Sequence, residues 1–132
     1  MKYAVLIARI LLGLAFVAAG VMNILHLKQK PMPGDGGLFL SILSTHGYMT
    51  VVALVMLVGG LLLLVGRFVP LGLTLLGPVI VNILLFHIFF APSGLVEAAV
   101  ILALDIFLVV VYRRAFLGIF AAGPEVLGSP KL

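Results

Sequence analysis

The sequence contains no cysteine and very little charge, and each absence excludes a class of protein. Without cysteine there are no disulfides, no thiolate metal sites and no dithiol redox chemistry. Charged residues make up 9% of the 132 residues, whereas a soluble domain devotes about a quarter of its residues to charge. So few charges cannot cover a water-facing surface, and with 64% hydrophobic residues the chain is expected to be an integral membrane protein.

Four stretches are long and apolar enough to cross a bilayer, which takes about 20 helical residues. They cover residues 3–25, 48–65, 71–90 and 95–112. Gly66 and Pro70 separate the second stretch from the third, and Pro92 separates the third from the fourth, because proline lacks an N–H and disfavours helix before it. We therefore expect an all-α fold, a bundle of four transmembrane helices in a single domain covering residues 1–132.

The first stretch has the outline of a secretory signal peptide. Lys2 would be its basic region and Ala18-Ala19-Gly20 its small-residue cleavage site. Its apolar part runs on to Leu25, which is longer than the apolar region of a typical signal. We expect it to be retained as the first transmembrane helix.

The basic residues favour one orientation in the membrane. With four spans, both termini and the turn at 66–70 share one side, which carries Lys2, Arg67, Arg113, Arg114 and Lys131. The opposite side has only Lys28 and Lys30, diluted by acidic residues. Because positive residues accumulate in cytoplasmic loops, both termini are expected in the cytoplasm. The basic residues form no patch, so the lipid bilayer is the expected partner and nucleic acid is not.

Two segments outside the spans are apolar enough to touch the membrane. In the outer loop, residues 28–47, the run "LFLSILST" is expected either to lie in the membrane interface or to begin the second helix early. After Tyr112, "RRAFLGIF" predicts a short amphipathic end on the cytoplasmic surface, followed by a loose tail, so that the two together cover 113–132.

This topology gathers polar side chains into one layer near the outer face. The candidate cofactor-binding layer consists of His87, Asn82, His26, Asn23, Glu97 and His46. Imidazole, amide and carboxylate groups beside aromatic rings can bind a quinone head group and move its protons. No metal site is predicted, because the sequence lacks His-x-x-x-His and Glu-x-x-His spacings. The alternative is that these groups are solvated helix ends with interfacial hydrogen bonds only.

Asn82 and His87 do not share a helix face in an ideal helix. They are five residues apart, about 140° around the axis. They therefore cannot both point at one ligand unless the helix bends. Pro78 is the candidate for such a bend, and the Asn82 amide is a candidate partner for the backbone that the proline exposes.

Arg9 and Asp105 are expected to form a buried ion pair. At a rise of 1.5 Å per residue both lie about 10 Å in from the cytoplasmic face, and an unpaired charge in the membrane is unfavourable. The pair would either fix helix order or serve a proton path or a lipid headgroup. Arg9 also belongs to a face of small and polar residues on the first helix: Arg9, Gly13, Phe16, Gly20 and Asn23. This face is expected to meet the stripe of Glu97, Ile101 and Asp105 on the fourth helix, or to share a cavity with it.

The successive apolar segments together resemble those of DoxX-type membrane proteins. The segments are "ARILLGLAFVAAGVMNILHL", "LVMLVGGLLLLVGRFVPLGL", "NILLFHIFF" and "LALDIFLVVVYRRAF", and the resemblance extends from Ala8 to Phe116. Many members of that family also carry a Glu before the Gly-Gly pair of the second helix. Here 54–58 contains Met56 and no acid, which puts any role of that Glu in doubt.

The resemblance implies a four-helix bundle in the prokaryotic cytoplasmic (inner) membrane. Namesakes of the family are small subunits of quinone-linked oxidoreductases, including thiosulfate–quinone enzymes, and other members are associated with membrane complexes that handle oxidative or thiol stress. It therefore implies an accessory or quinone-interacting subunit, with quinone as candidate cofactor and with other subunits or a second copy of the chain as candidate partners. The alternative is a non-catalytic scaffold, assembly partner or small-molecule carrier.

Overall fold

In a computed structural model, which describes residues 1–26, 32–123 and 127–128, all the regular structure is helical. The five α-helices are α1 (Lys2–Ile24), α2 (Gly34–Thr45), α3 (Tyr48–Val65), α4 (Val69–Phe89) and α5 (Leu95–Val111). Two 3₁₀ helices, Pro92–Gly94 and Arg113–Phe120, precede and follow α5. Parts of the predicted outer loop (28–31) and of the predicted tail (124–126 and 129–132) lie outside the described residues.

Four of these helical segments are long and apolar enough to span a membrane: α1, α3, α4 and the segment Pro92–Val111 that contains α5. The predicted all-helical class with four such helices is thus confirmed. Most bounds agree within one residue, and the largest difference is at α4, which begins at Val69 and includes Pro70, whereas the third span was expected from 71. Proline is tolerated in the first turn of a helix because the N–H that it lacks has no partner there in any case.

The apolar run of the outer loop forms a helix of its own and does not extend α3. Gly47 separates α2 from α3 with φ of +78°, a left-handed conformation that glycine adopts without strain. Of the two expectations for this run, the early start of the second helix is therefore wrong. The 3₁₀ helix Arg113–Phe120 lies where the short amphipathic end was expected.

Glycines set the closest approach between helices. Helix α1 packs most extensively on α3. A Cβ added at Gly60 would lie 2.9 Å from the carbonyl oxygen of Gly13, and one added at Gly13 would lie 2.9 Å from that of Gly60. On the other side of α3, a Cβ at Gly72 of α4 would lie 3.1 Å from the Gly59 carbonyl oxygen. Two adjacent glycines thus let α3 approach α1 and α4 at once, as small residues do between membrane helices.

The small-residue face of α1 lies against α3. Besides Gly13, a Cβ at Gly20 would lie 2.8 Å from the carbonyl oxygen of Ala53. The residues of the expected partner stripe on α5 differ in burial, because Glu97 is exposed and Asp105 is buried. Backbone proximity at the glycines, more than polarity, therefore sets the direction of this face.

The centre of the bundle is filled by leucine and isoleucine. The largest fully buried side chains are Leu12, Leu63, Leu73, Leu76, Ile80 and Leu108. The outward faces are apolar too, with Val51, Leu71 and Val100 each more than half exposed. An apolar exterior around an apolar core is what lipid contact requires, since lipid tails are as apolar as leucine.

Candidate functional site

Arg9 binds the C-terminal end of α3. Its Nε donates a hydrogen bond of 3.1 Å to the carbonyl oxygen of Leu63, and its guanidinium lies against Gly66, the residue that follows the last residue of α3. The last carbonyls of a helix have no partner within the helix and carry partial negative charge, so a cation is stabilising there. Arg9 therefore joins α1 to α3 as a helix cap.

The expected ion pair between Arg9 and Asp105 is not formed among the described residues. Asp105 is 8% exposed, and its Oδ1 has no hydrogen-bond partner. Arg9 instead uses the carbonyl of Leu63. Equal depth in the bundle does not bring two side chains together, because their directions depend on which helices face each other, and α1 packs mainly on α3.

A cavity of about 280 Å³ lies between α2, α3 and α4. Its lining comprises Phe39, Leu40 and Leu43 of α2, Tyr48, Met49, Val52 and Met56 of α3, and Pro78, Val79, Asn82, Ile83, Phe86 and His87 of α4. The lining is mostly apolar and aromatic, with a few polar groups from Asn82, His87 and Tyr48. This composition is typical of a binding site for a small apolar molecule that polar contacts orient.

Asn82 and His87 line this same cavity. On an ideal helix the two side chains point about 140° apart, which was expected to keep them from one ligand unless the helix bends. The cavity spans a wider strip of α4, made of one row at 78, 82 and 86 and a second row at 79, 83 and 87. Each row repeats every four residues and so runs along the helix. The amide lies on the first row and the imidazole on the second.

Both polar side chains are anchored to the backbone of their own helix. Asn82 Nδ2 donates to the carbonyl oxygen of Pro78 at 2.9 Å, and α4 continues as a helix through that proline. The carbonyl that loses its partner at the proline is that of Thr74, four residues earlier, because Pro78 has no N–H. The amide bonds to the carbonyl of Pro78 instead, so the expected contact with the exposed backbone is not formed. His87 Nδ1 forms a 2.8 Å hydrogen bond with the carbonyl oxygen of Ile83. A carbonyl only accepts, so Nδ1 carries the proton in this bond.

Neighbouring groups hold the His87 ring and close the cavity. The ring meets Phe86 edge-on, with centroids 5.6 Å apart. A Cβ added at Gly94 would lie 2.5 Å from His87 Nε2, so the ring packs directly against that glycine. Phe39 of α2 stacks on Phe86 and Phe90, at centroid distances of 6.1 Å and 5.7 Å. Helix α2 thus covers one side of the cavity.

The other four members of the expected polar layer do not line this cavity. Asn23 Nδ2 donates to the carbonyl oxygen of Ala19 at 2.8 Å, on its own helix. His26 is exposed at the end of α1, His46 is exposed after α2, and Glu97 is exposed in the first turn of α5. Their part in cofactor binding stays a prediction. In the described part of the chain no three histidine or acidic side chains come together as metal ligands.

Sequence reasoning missed the contribution of α2 and α3 to the cavity. Phe39, Tyr48 and Met56 lie far from Asn82 in sequence, and their apolar character does not distinguish them from lipid-facing residues. One signal was present. Phe39 lies in an apolar run of the loop next to the aromatic end of α4, and aromatic side chains tend to pair.

Comparison with known proteins finds no matching family model, no similar curated protein and no similar solved structure. The resemblance to DoxX-type proteins therefore stays an expectation, and the function has to be inferred from the cavity.

Proposed function

We propose that this chain is a DoxX-like, quinone-interacting membrane protein that binds the quinone head group in the cavity between α2, α3 and α4. The observation that carries the proposal is the presence of Asn82 and His87 together in the lining of one apolar cavity. A quinone head group is a flat ring with two carbonyls, and it needs apolar walls together with one or two polar contacts.

The cavity offers both kinds of contact. Phe39 and Phe86 line the cavity, and a flat head group can pack against these aromatic side chains. Asn82 keeps one amide N–H that is not used in its bond to Pro78, and Tyr48, whose side chain carries a hydroxyl, is also a lining residue. The volume of about 280 Å³ is at the small end for ligand sites, which suits a head group with its isoprenoid tail outside.

The same proposal covers location and partners. The chain would reside in a prokaryotic inner membrane with both termini in the cytoplasm, supported by Arg67, Arg113 and Arg114 at the predicted cytoplasmic side. It would act as an accessory subunit of a membrane oxidoreductase. That role is what the resemblance to DoxX-type proteins implies, and without cysteine the chain has no dithiol redox centre of its own.

The direct test is quinone binding by the protein purified in mild detergent. We expect a lipid extract to contain quinone, and a short-chain benzoquinone to bind the emptied protein. His87→Ala should weaken that binding, whereas His46→Ala, which removes an exposed histidine outside the cavity, should leave it unchanged. An empty extract together with no binding of added benzoquinone would contradict the proposal.

The orientation can be tested separately because the chain has no cysteine, so that a single introduced cysteine is a unique label. Ser93→Cys places one at the turn before α5, and Arg67→Cys places one at the turn after α3. A membrane-impermeant maleimide should label Ser93→Cys in intact cells and Arg67→Cys only after permeabilisation. The reverse pattern would place the termini outside.

A second candidate is a non-catalytic carrier that binds an apolar small molecule in the same cavity. It is favoured because the hydrogen bonds formed by Asn82 and His87 go to backbone carbonyls of their own helix. These bonds do not connect the two side chains into a network that could move protons. It predicts that His87→Ala changes ligand affinity without abolishing any electron transfer by the complex. Loss of electron transfer in this variant at unchanged expression would exclude the carrier.

A further inference from the structure

We propose that the ligand of this cavity is a hydrocarbon-tailed amphiphile that enters sideways from the bilayer and keeps its tail in the lipid at the inner end of the cavity. The inner end is the part lined by Met56 and Pro78, and the outer end is the part lined by Phe39 and Tyr48. The inference rests on the proposed function and specifies it further, because it gives the class of ligand and its path. It follows from the position of the cavity relative to the four spanning helices.

The cavity lies on the outside of the four-helix bundle. Helix α1 contacts α3 and α5, and α4 contacts the same two helices, so these four helices form a closed bundle. Helix α2 is outside it, since α2 packs on α3 and, through Phe39, on the aromatic end of α4. Among the described residues, the lining comes from α2, α3 and α4 and includes none of α1 or α5. The cavity is therefore a groove between α3 and α4 on the surface that lipid would surround.

Helix α2 closes this groove at its outer end. Near the start of α2, a Cβ added at Gly36 would lie 3.2 Å from the Cβ of Phe90 and 3.4 Å from the ring of Phe86, at the end of α4. After α2, Gly47 leads directly into Tyr48, the first residue of α3. Because α3 begins and α4 ends at the same end of the bundle, both ends of α2 lie there. Helix α2 therefore crosses the groove and does not extend along it toward the middle of the membrane.

The inner end of the groove reaches the surface at the depth of the acyl chains. Pro78 and Asn82 both line the cavity and are both exposed. At 1.5 Å per residue, Pro78 is about 16 Å along the helix axis from Phe89, the last residue of α4. The hydrocarbon core of a bilayer is about 30 Å thick, so Pro78 lies near its middle. An opening at this depth faces lipid and not water.

The lining changes from polar to apolar along the groove. Tyr48 and His87 lie toward the outer end, Asn82 lies further in, and Met56 and Pro78 form the inner end. This order fits an amphiphile whose head group lies beneath α2 and whose tail continues past the inner end into the bilayer. A tail also concentrates the ligand in the bilayer, because each methylene group favours lipid over water.

The test uses a benzoquinone that carries a decyl tail with a diazirine at its far end. The full-length protein in lipid nanodiscs is illuminated with this probe, and the labelled residues are identified by mass spectrometry. An excess of decylbenzoquinone without the diazirine should remove the labelling of Met56, Pro78 and their immediate neighbours. Leu71, which is exposed outside the cavity, should be labelled equally with and without this competitor.

A disulfide across the outer end distinguishes entry from lipid from entry by opening of α2. Gly36→Cys together with Phe90→Cys places two Cβ atoms 3.2 Å apart, slightly closer than the mean of about 3.8 Å in disulfides. The chain has no other cysteine that could compete for this bond. After the same short exposure to the probe, the oxidised and reduced forms of this variant should show equal labelling at Met56.

A bulky side chain at the inner end should block the tail. Pro78→Phe adds a ring there and keeps the backbone carbonyl that binds Asn82, so it should lose most of the labelling that the competitor removes. Leu71→Phe is the matched control, because it adds a ring to the same helix at an exposed position outside the cavity. It should be labelled as the wild-type protein is.

The outcomes separate this inference from the proposed function. If the competitor removes no labelling anywhere in the wild-type protein, the quinone site itself is refuted. Competed labelling confined to α2 and Tyr48 would place the tail at the outer end and overturn only the path through lipid. Loss of labelling in the oxidised disulfide variant, restored by reduction, would also overturn it, because the ligand would then need α2 to open. Full labelling of Pro78→Phe would do the same.

Discussion

Replacing Gly60 by alanine should destabilise the bundle through its backbone contact with α1. The added Cβ would lie 2.9 Å from the carbonyl oxygen of Gly13 and 2.9 Å from the backbone nitrogen of Val17. Ordinary contact begins at 3.4 Å, so α1 and α3 would have to separate by about 0.5 Å. The obstructing atoms are backbone, and they cannot move aside as the end of a side chain can.

The expected magnitude follows from two opposing effects. Overpacking a core typically destabilises by about 1–3 kcal/mol. The higher helix propensity of alanine offsets up to about 1 kcal/mol of that destabilisation. Because backbone atoms obstruct the methyl group, we take the upper part of the first range and expect a net loss of about 1–2 kcal/mol. For a chain of this size that lowers the melting temperature by roughly 4–8 °C.

Thermal unfolding in mild detergent, followed by circular dichroism, measures this effect. Gly118→Ala is the matched control, since Gly118 is exposed and a Cβ there would have no atom within 4 Å. Its melting temperature should stay at the wild-type value. Gly13→Ala should resemble Gly60→Ala, and the double variant should lose less than the sum, because one separation of the helices relieves both contacts. A Gly60→Ala protein as stable as Gly118→Ala would refute the reasoning.

Three further substitutions test other contacts. Arg9→Gln should lower the free energy of unfolding by about 2 kcal/mol in the same melting assay, because it removes a charged donor to the Leu63 carbonyl at a helix end. The control Arg67→Gln, at an exposed position, should change this free energy by under about 0.5 kcal/mol. Phe39→Ala removes two stacked-ring contacts worth about 1 kcal/mol each. It should speed amide hydrogen exchange in α2, while Leu38→Ala should not. Asp105→Asn should be at least as stable as wild type, because Asp105 Oδ1 has no partner to lose. A loss above about 1 kcal/mol would reveal a partner for the carboxyl.

The candidate site was only partly accessible to sequence reasoning. Asn82 and His87 could be selected as polar residues within a long apolar segment, and both line the cavity. Their geometry could not be inferred, because an angle around one helix does not describe a cavity bounded by three helices. The partner of Arg9 was misassigned for a related reason. Depth along the bundle can be counted from sequence, but the rotation of each helix toward its neighbours cannot.

The sequence by itself determined the class of this protein. Its apolar composition and the lengths of its four apolar stretches are local properties, and they suffice to predict helices long enough to span a membrane. Glycine at positions 13, 59 and 60 likewise indicated close helix packing. Only the tertiary structure decided that Arg9 caps α3, that α2 covers a cavity, and that this cavity is lined by Asn82 and His87 together. These are contacts between residues distant in sequence, and they depend on how whole helices pack against one another.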